Sequence, residues 1–459
     1  MLRDLFVLAI VLLSLPESFR RPFVGLLVFS WLAYMRPQDL CWGFARNMRL
    51  SFFVALAMIV GWWANEKGRR AYAVWDWRSV LMTLLAVFVS ISYLFAEKQD
   101  DYTNQYFVEY LKIVAVALFA SGQIDSQPRL RAMFWTIALS LGFFGVKGGI
   151  FGMLSGGTTI TRGPGGMLED NNDFALALVM NVPLLWYMGL SETRMPMARR
   201  LTQIAVGLTV VTVVLTHSRG AFLALSATAL WIAWRSGKLV RAAMVLASLA
   251  WLFPLLVPQH VLDRLGTIGD KTESSANARL TAWGTAMRMI GDNPVLGVGM
   301  RNFQTRFLDY SPYEGQVGQT YVAHNSYLQI WAESGSIAFA LYLAMLASVF
   351  FTCRKVYRIG RVRPDLVWAA DYARMMESTT IGFMVGAFFL NRGHFDLLYH
   401  WMAMVTALGA VASVAYLRAP AGAVAAVGSR KITVGQRLRG VGAAGSARAV
   451  VWRRAGRWR

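Results

Sequence analysis

The chain is 459 residues long, 56% of them hydrophobic and 15% charged, against roughly 45–50% and about 25% in a soluble globular domain. That much apolar sequence, gathered in blocks of about fifteen to twenty-five residues, excludes a soluble domain and predicts an all-α polytopic membrane protein. Lys and Arg number 46 against 25 Asp and Glu, a net charge of +21, and Arg418–Arg459 carries ten basic residues and no acidic one. Directly after a hydrophobic segment, such a tail fits the cytoplasmic face of an anionic bilayer, and nucleic-acid binding is the weaker reading.

Met1-Leu-Arg-Asp4 runs straight into Leu5–Leu15 with no small-residue cleavage site, which reads as a retained membrane segment. Further candidate crossings follow at Phe23–Met35, Phe52–Ala64, Val80–Phe95, Phe107–Ala120, Met133–Leu154, Phe174–Leu190, Ile204–Thr216, Ala221–Trp234, Ala242–Val257, Ile337–Phe351, Ile381–Leu390 and Trp401–Leu417. Pro16, Glu17, Arg20, Arg21 and Pro22 separate the first two, which are either one broken crossing or a shallow pair. The expected count is therefore about twelve, or thirteen, and twelve would place both termini in the cytoplasm.

Working back from a cytoplasmic tail, alternation puts Arg354–Arg374, Arg235–Arg241, Arg194–Arg200, Arg129–Arg131 and Glu66–Arg78 inside, and each is net basic. The acidic Ala96–Gln105, the glycine-rich Ser155–Asn172 and the long Pro258–Ala323 fall outside. The expected organisation is transmembrane helices over 1–257, an extracytoplasmic loop with amphipathic helices over 258–325, transmembrane helices over 326–417 and a basic cytoplasmic tail over 418–459. An insertion of about 65 residues is more than a connection needs. Chemistry is sought there.

Within it, Ala278–Ile290 places Leu280, Trp283, Met287 and Ile290 on one helical face, with Arg279 and Arg288 away from it. Asp292-Asn293-Pro294 stops that helix, Gly297-Val-Gly299-Met-Arg301-Asn-Phe303 follows as a tight turn, and Ala323-His324-Asn325-Ser326 leads into the next span. A solvated interfacial helix is the plain account of these arginines. All five histidines, His217, His260, His324, His394 and His400, fall outside or at the outer membrane edge. A lone histidine is usually structural, but His324 has Arg279, Arg288 and Arg301 for company and can act as a general base near neutral pH. Arg219 stands between two apolar helices at the outer surface, where a charge is costly and a functional role is expected. Lys147 lies deeper within a span; snorkelling, or pairing with a distant acid such as Glu109, Glu333 or Asp173, would explain it as well as function does.

Cys41 and Cys353 are far apart and suggest neither zinc nor a disulfide framework. No compact acidic cluster lies outside, so no divalent-metal site of the usual glycosyltransferase kind is expected, and there is no Walker loop or Gly-x-Ser-x-Gly elbow. Outward-facing arginines suit a diphosphate held bidentately without a metal, and a base beside them could deprotonate an acceptor hydroxyl while the diphosphate departs. The residues thus point to transfer from a lipid diphosphate.

Thr216-His-Ser-Arg219-Gly220, the Arg279-x-x-x-Trp283 helix leading to Gly297-x-Gly299-x-x-Asn-Phe303, and His324-Asn-Ser-Tyr-Leu together resemble the O-antigen ligase superfamily. Met35-Arg-Pro-Gln and Leu50-Ser-Phe are similar to its O-glycosylation ligase branch. Order, spacing and outside placement carry the resemblance, which covers most of residues 1–417 but not the tail. It implies a twelve-helix inner-membrane protein of Gram-negative bacteria that moves O-antigen from undecaprenyl diphosphate to a sugar hydroxyl of lipid A–core. The transfer would occur at the periplasmic face, inverting the anomeric carbon, with no metal and no cofactor. The resemblance further implies that Arg219 and Arg279 hold the donor diphosphate, with Arg301 and Lys147 as further members of that set, and that His324 activates or orients the acceptor hydroxyl.

Sibling members with the same donor chemistry polymerise glycan repeats or glycosylate protein hydroxyls. Outside the family, Lys147 and Glu109 could line a transporter pathway, but no repeat of paired broken helices is visible and the charges gather in the outer loop. A scaffold or receptor would leave the Arg and His cluster without a role.

Overall fold

The computed structural model describes residues 1–193, 195–237, 240, 274–311 and 320–418. The expected crossing Ala242–Val257, His260 and the tail beyond Arg418 lie outside these described residues. Among them every regular element is helical, and the sole β-type contact is an isolated bridge between Arg162 and Asp170. The main helices are α1 Leu2–Arg20, α2 Pro22–Tyr34, α3 Leu50–Gly61, α4 Trp77–Leu94, α5 Asp101–Gln123, α6 Gln127–Leu154, α7 Asn171–Ser191, α8 Pro196–Leu215, α9 Arg219–Arg235, α10 Ser274–Asp292, α11 Ser326–Val362, α12 Val367–Ala387 and α13 Asp396–Leu417. Six of them, α4, α6, α7, α8, α11 and α13, are long and apolar enough to cross a membrane, while α2 and Leu50–Glu66 are apolar but shorter. This is the architecture of a polytopic membrane protein.

The first two segments resolve into separate helices joined at Arg21, packed on each other and on α3. Pro22 starts α2, where its missing N–H costs nothing and its fixed φ suits a first turn. Buried Asp4, near the start of α1, accepts from the backbone N–H groups of Gly43 and Ala45 in the α2–α3 connection. At the other end of α1, the Phe19 carbonyl accepts from Asn65, beyond α3. Of the two readings, one broken crossing or a shallow pair, the structure has two helices packed side by side.

The packed body comprises residues Met1–Ser413. Its interior is built on α7, buried along most of its length from Asp173 to Gly189, and on α12, which packs against α7, α9 and α11. By contrast α8 leaves Leu201 and Ile204 more than half exposed, as a lipid-facing helix would. The connections read as basic and cytoplasmic carry ion pairs such as Arg131–Glu192, Arg70–Glu66 and Arg235–Glu377. The connections read as external meet one another: Asn302 donates to the Lys98 carbonyl at 3.0 Å, Asn171 to the Thr216 carbonyl at 2.9 Å, and Trp283 packs on Phe388. The candidate residues are concentrated at this second end.

Candidate active site

Helix α11 is interrupted near its start. Asn325 caps it, its side-chain oxygen accepting from the N–H groups of Tyr327 and Leu328, and Gly335 then breaks it with φ 81° and ψ 176°. A break orphans backbone groups that must find partners in an apolar setting. The stretch Pro294–Gly299 supplies them: Val298 and Gly299 donate to the Ala332 and Glu333 carbonyls, and the Pro294 carbonyl accepts from Ser336, each at 2.9 Å. So close an approach excludes side chains on both strands of the contact. A Cβ on Gly335 would stand 1.9 Å from the Val295 oxygen, and one on Gly297, at φ 69°, 2.5 Å from the Ala332 oxygen. The Gly297-x-Gly299 turn therefore splices a loop into a broken helix, and it leaves the Glu333 side chain buried at the break with Gln329 donating to it at 3.3 Å.

Arg301 follows from this turn, itself at φ 62°. Its guanidinium lies over the Tyr106 ring, 3.9 Å from the centroid, and its buried Nε makes no hydrogen bond among the described residues. It stands between two cavities of about 20 and about 270 Å³, both lined by Arg301 and Asn391. Tyr106, Tyr110, Gln329, Arg392 and His394 also line the smaller one.

The connection from Phe388 to Phe395 ties the external ends together. The Ser326 hydroxyl donates to the Leu390 carbonyl at 2.7 Å and accepts from the Arg392 N–H at 2.8 Å, fixing the connection to the start of α11. The Arg392 guanidinium pairs with Asp173 in the first turn of α7. Burial works against the Arg392 charge, but Asp173 outweighs it and holds the guanidinium above its ordinary pKa. His394 meets Tyr110 edge to face at 4.8 Å; burial, helped by the Arg301 charge, pushes its imidazole pKa down to about 3.

The same connection touches the two other arginine-bearing elements. Arg219 is the first residue of α9, capped by the Ser218 hydroxyl, and a Cβ on the adjacent Gly220 would come within 2.7 Å of Phe389. On α10, Trp283 packs edge to face on Phe388 and donates from its indole nitrogen to the Ala323 carbonyl at 3.0 Å. That carbonyl immediately precedes His324, whose φ of 46° is left-handed and uncommon for a side chain of its size. The His324 imidazole is half-buried, and burial followed by the Arg279 charge lowers its pKa, with Asp170 opposing. His324 is thus held neutral at neutral pH.

The structure brings His324 and Arg279 within each other's field and sets the Arg219 turn and Arg301 around the same Phe388–Phe395 connection. Lys147 is not in that group. It is exposed on α6, and its neighbours Gly145 and Gly149 face Thr209 and Leu208 of α8. Two residues away along a helix is about 200° around it, so Lys147 points outward. Glu109 pairs with Lys112 rather than with Lys147, so Glu109, one of the distant acids considered for Lys147, is not its partner.

The expected apolar face of α10 holds at Trp283 and Ile290 and is corrected at Leu280 and Met287. Leu280 and Met287 are more than half exposed, whereas Ala282, Ala286, Met289 and Ile290 form the packed face. Small residues let α10 lie closely on α11, a fit that hydrophobic spacing alone does not express. Asn391 and Arg392 were missed as site residues, and Asp173, Glu333 and His394 were noted without a role there. Asn391-Arg-Gly-His394 between apolar spans carried the signal that singled out Arg219. Among the described residues, no three of His, Cys, Asp and Glu are grouped as a metal would require.

Residues 204–343 match a family model described as O-antigen ligase, and residues 2–193 match one described as a family of unknown function (DUF5935). No curated protein matches the chain. Arg219, Arg279, Arg301, His324 and Glu333 fall in the first matched segment, Lys147 and Asp173 in the second, and the Phe388–Phe395 connection in neither.

Proposed function

Because the chain belongs to the O-antigen ligase and polymerase superfamily, we propose that it is an O-antigen ligase of lipopolysaccharide biosynthesis. In this reading it sits in the bacterial inner membrane with the Phe388–Phe395 end in the periplasm and the basic tail in the cytoplasm. It takes O-antigen polysaccharide from undecaprenyl diphosphate and attaches it to a sugar hydroxyl of lipid A–core.

The observation that carries the reading is His324, held neutral beside Arg279 on a turn pinned by Trp283. A neutral imidazole is the form that can accept a proton. As the acceptor oxygen bonds to the anomeric carbon from the face opposite the diphosphate, its proton passes to His324. The bond from that carbon to the diphosphate oxygen breaks, and its electron pair leaves on the diphosphate, so the configuration inverts. Arg219, Arg279 and Arg301 bind the diphosphate and offset the charge gathering on it, in place of a metal. Lys147, about two turns before the loop end of α6, stands apart from these arginines and contributes to donor binding as a cation that the lipid diphosphate meets on its way in.

The test is transfer by purified protein from undecaprenyl-diphosphate glycan to lipid A–core, with chelator present. A ladder of glycosylated lipid A–core that disappears with His324→Ala is expected. Donor consumed only into longer glycans, or only onto protein, would move the assignment to a sibling of the same superfamily. A donor left untouched in every format would overturn the transferase reading.

A further inference from the structure

The larger cleft beside Arg301, about 270 Å³, approaches the lower end of the size range of small-ligand sites, about 300 Å³. Its walls are poorly suited to a phosphate. Arg301 is opposed there by Glu333, the lone acid among the lining residues, and the Arg301 backbone N–H faces that carboxylate. The remaining polar groups are neutral: the amides of Gln304 and Asn391 and the hydroxyls of Thr305 and Thr320. Tyr102 adds an aromatic ring, half exposed, which meets Tyr106 edge to face at 4.8 Å while Tyr106 carries the Arg301 guanidinium on its face.

Two buried polar atoms at this cleft are unsatisfied among the described residues, Arg301 Nε and Asn391 Oδ1. Buried polar atoms are nearly always hydrogen-bonded, so a pair of orphans on two residues that line both cavities signals a polar partner, and the larger cleft has the room for one. The partner must supply both donors and acceptors, carry little charge, and present an apolar face to an aromatic ring. A sugar ring does all three: its hydroxyls donate and accept, and the C–H groups on one face pack on an aromatic side chain.

We infer that this cleft is a sugar-binding subsite, taking a neutral pyranose ring on Tyr102, with ring hydroxyls bonded by Glu333, Asn391 and Gln304. The inference rests on the transferase reading for its biological sense and deepens it by separating a place for glycan from the diphosphate at Arg219 and Arg279, with Arg301 between the two. Glu333 is held for this task by the break in α11. Its backbone carbonyl is taken by Gly299 and by the Ser92 hydroxyl, and its carboxylate, which accepts from Gln329 and the backbone N–H groups of Arg301 and Phe303, lines the cleft.

The experiment measures binding to the full-length protein in detergent, without turnover, using three probes. These are the core oligosaccharide freed of lipid A, the O-antigen glycan freed of its lipid diphosphate, and inorganic diphosphate. One or both oligosaccharides should bind, and which one does so identifies whether acceptor or donor sugar occupies the cleft. Tyr102→Ala, Gln304→Ala and the isosteric Glu333→Gln should each weaken that binding about tenfold, with diphosphate affinity unchanged. Tyr102 and Gln304 are surface-accessible, so their loss leaves the core packing intact. Oligosaccharide binding that is absent, or equally strong in all three variants, overturns the subsite even where ligation proceeds. Binding lost in the variants of a protein that transfers nothing would uphold the subsite and sink the ligase reading instead.

Discussion

The indole of Trp283 donates to the carbonyl of Ala323 at 3.0 Å, so helix α10 holds the backbone immediately before His324. Arg279 lies one turn earlier on the same helix, and one rigid element therefore sets both the cation and the turn that carries the base. Trp283→Phe keeps the packing on Phe388 and deletes the hydrogen bond, a loss of about 1 kcal/mol in the order of the turn. We expect kcat for glycan transfer to fall about three- to tenfold, with donor KM and melting temperature nearly unchanged. An unaltered kcat would remove α10 as the positioning element.

The acid limb of the pH–rate profile should belong to His324. Its folded-state pKa lies below the ordinary histidine value, because of burial and then Arg279. The neutral, proton-accepting form therefore persists to lower pH than in an ordinary histidine, and kcat/KM falls only as the pH drops through that lowered value. Arg279→Gln removes the cation and should move the surviving activity's acid limb upward, toward the ordinary histidine value of about 6.5. A limb that stays in place would show that Arg279 does not act on the base.

Asp173 and Arg392 form an ion pair with little exposure on either side chain. Removing one partner strands the other's charge, at a cost of about 3–5 kcal/mol. Asp173→Asn should lower the melting temperature in detergent and reduce transfer, because Arg392 also anchors its connection to Ser326. The double variant Asp173→Asn, Arg392→Gln should recover part of the lost stability. Equal stability of the single and double variants would show that the pair is not coupled.

His394 makes stability itself pH-dependent. With its pKa pushed down to about 3, the unfolded chain binds a proton between the ordinary value and about 3 that the folded protein refuses. Stability contributed by the neutral ring is complete above about 6.5 and is lost as the pH falls toward about 3. His394→Phe should flatten the fall in melting temperature across that window. A fall as steep as the parent's would place the acid sensitivity elsewhere.

Lys147 and Arg279 should separate kinetically. Lys147 is exposed on the outer face of α6, so Lys147→Ala should raise donor KM severalfold and spare kcat, whereas Arg279→Ala should lower kcat. Loss of kcat in the lysine variant would require Lys147 at the reacting diphosphate.

Composition and the lengths of the apolar blocks were enough to reveal an all-helical membrane protein, because a bilayer imposes a length and polarity requirement on each crossing helix. Charge alternation likewise divides the connections into two sets, and local motifs single out Arg219, Arg279, Arg301 and His324 as candidates. Long-range contact settled the rest. Glu333 reads as an ordinary acid near a span until Pro294–Gly299 is seen spliced into the break at Gly335, some forty residues away in sequence. Asp173 and Arg392 are 219 residues apart, and no local pattern pairs them. The packed face of α10 went to alanines rather than to Leu280 and Met287, because how closely two helices approach depends on both surfaces at once. Spacing along one chain segment encodes which residues share a face; what that face meets is a property of the folded molecule.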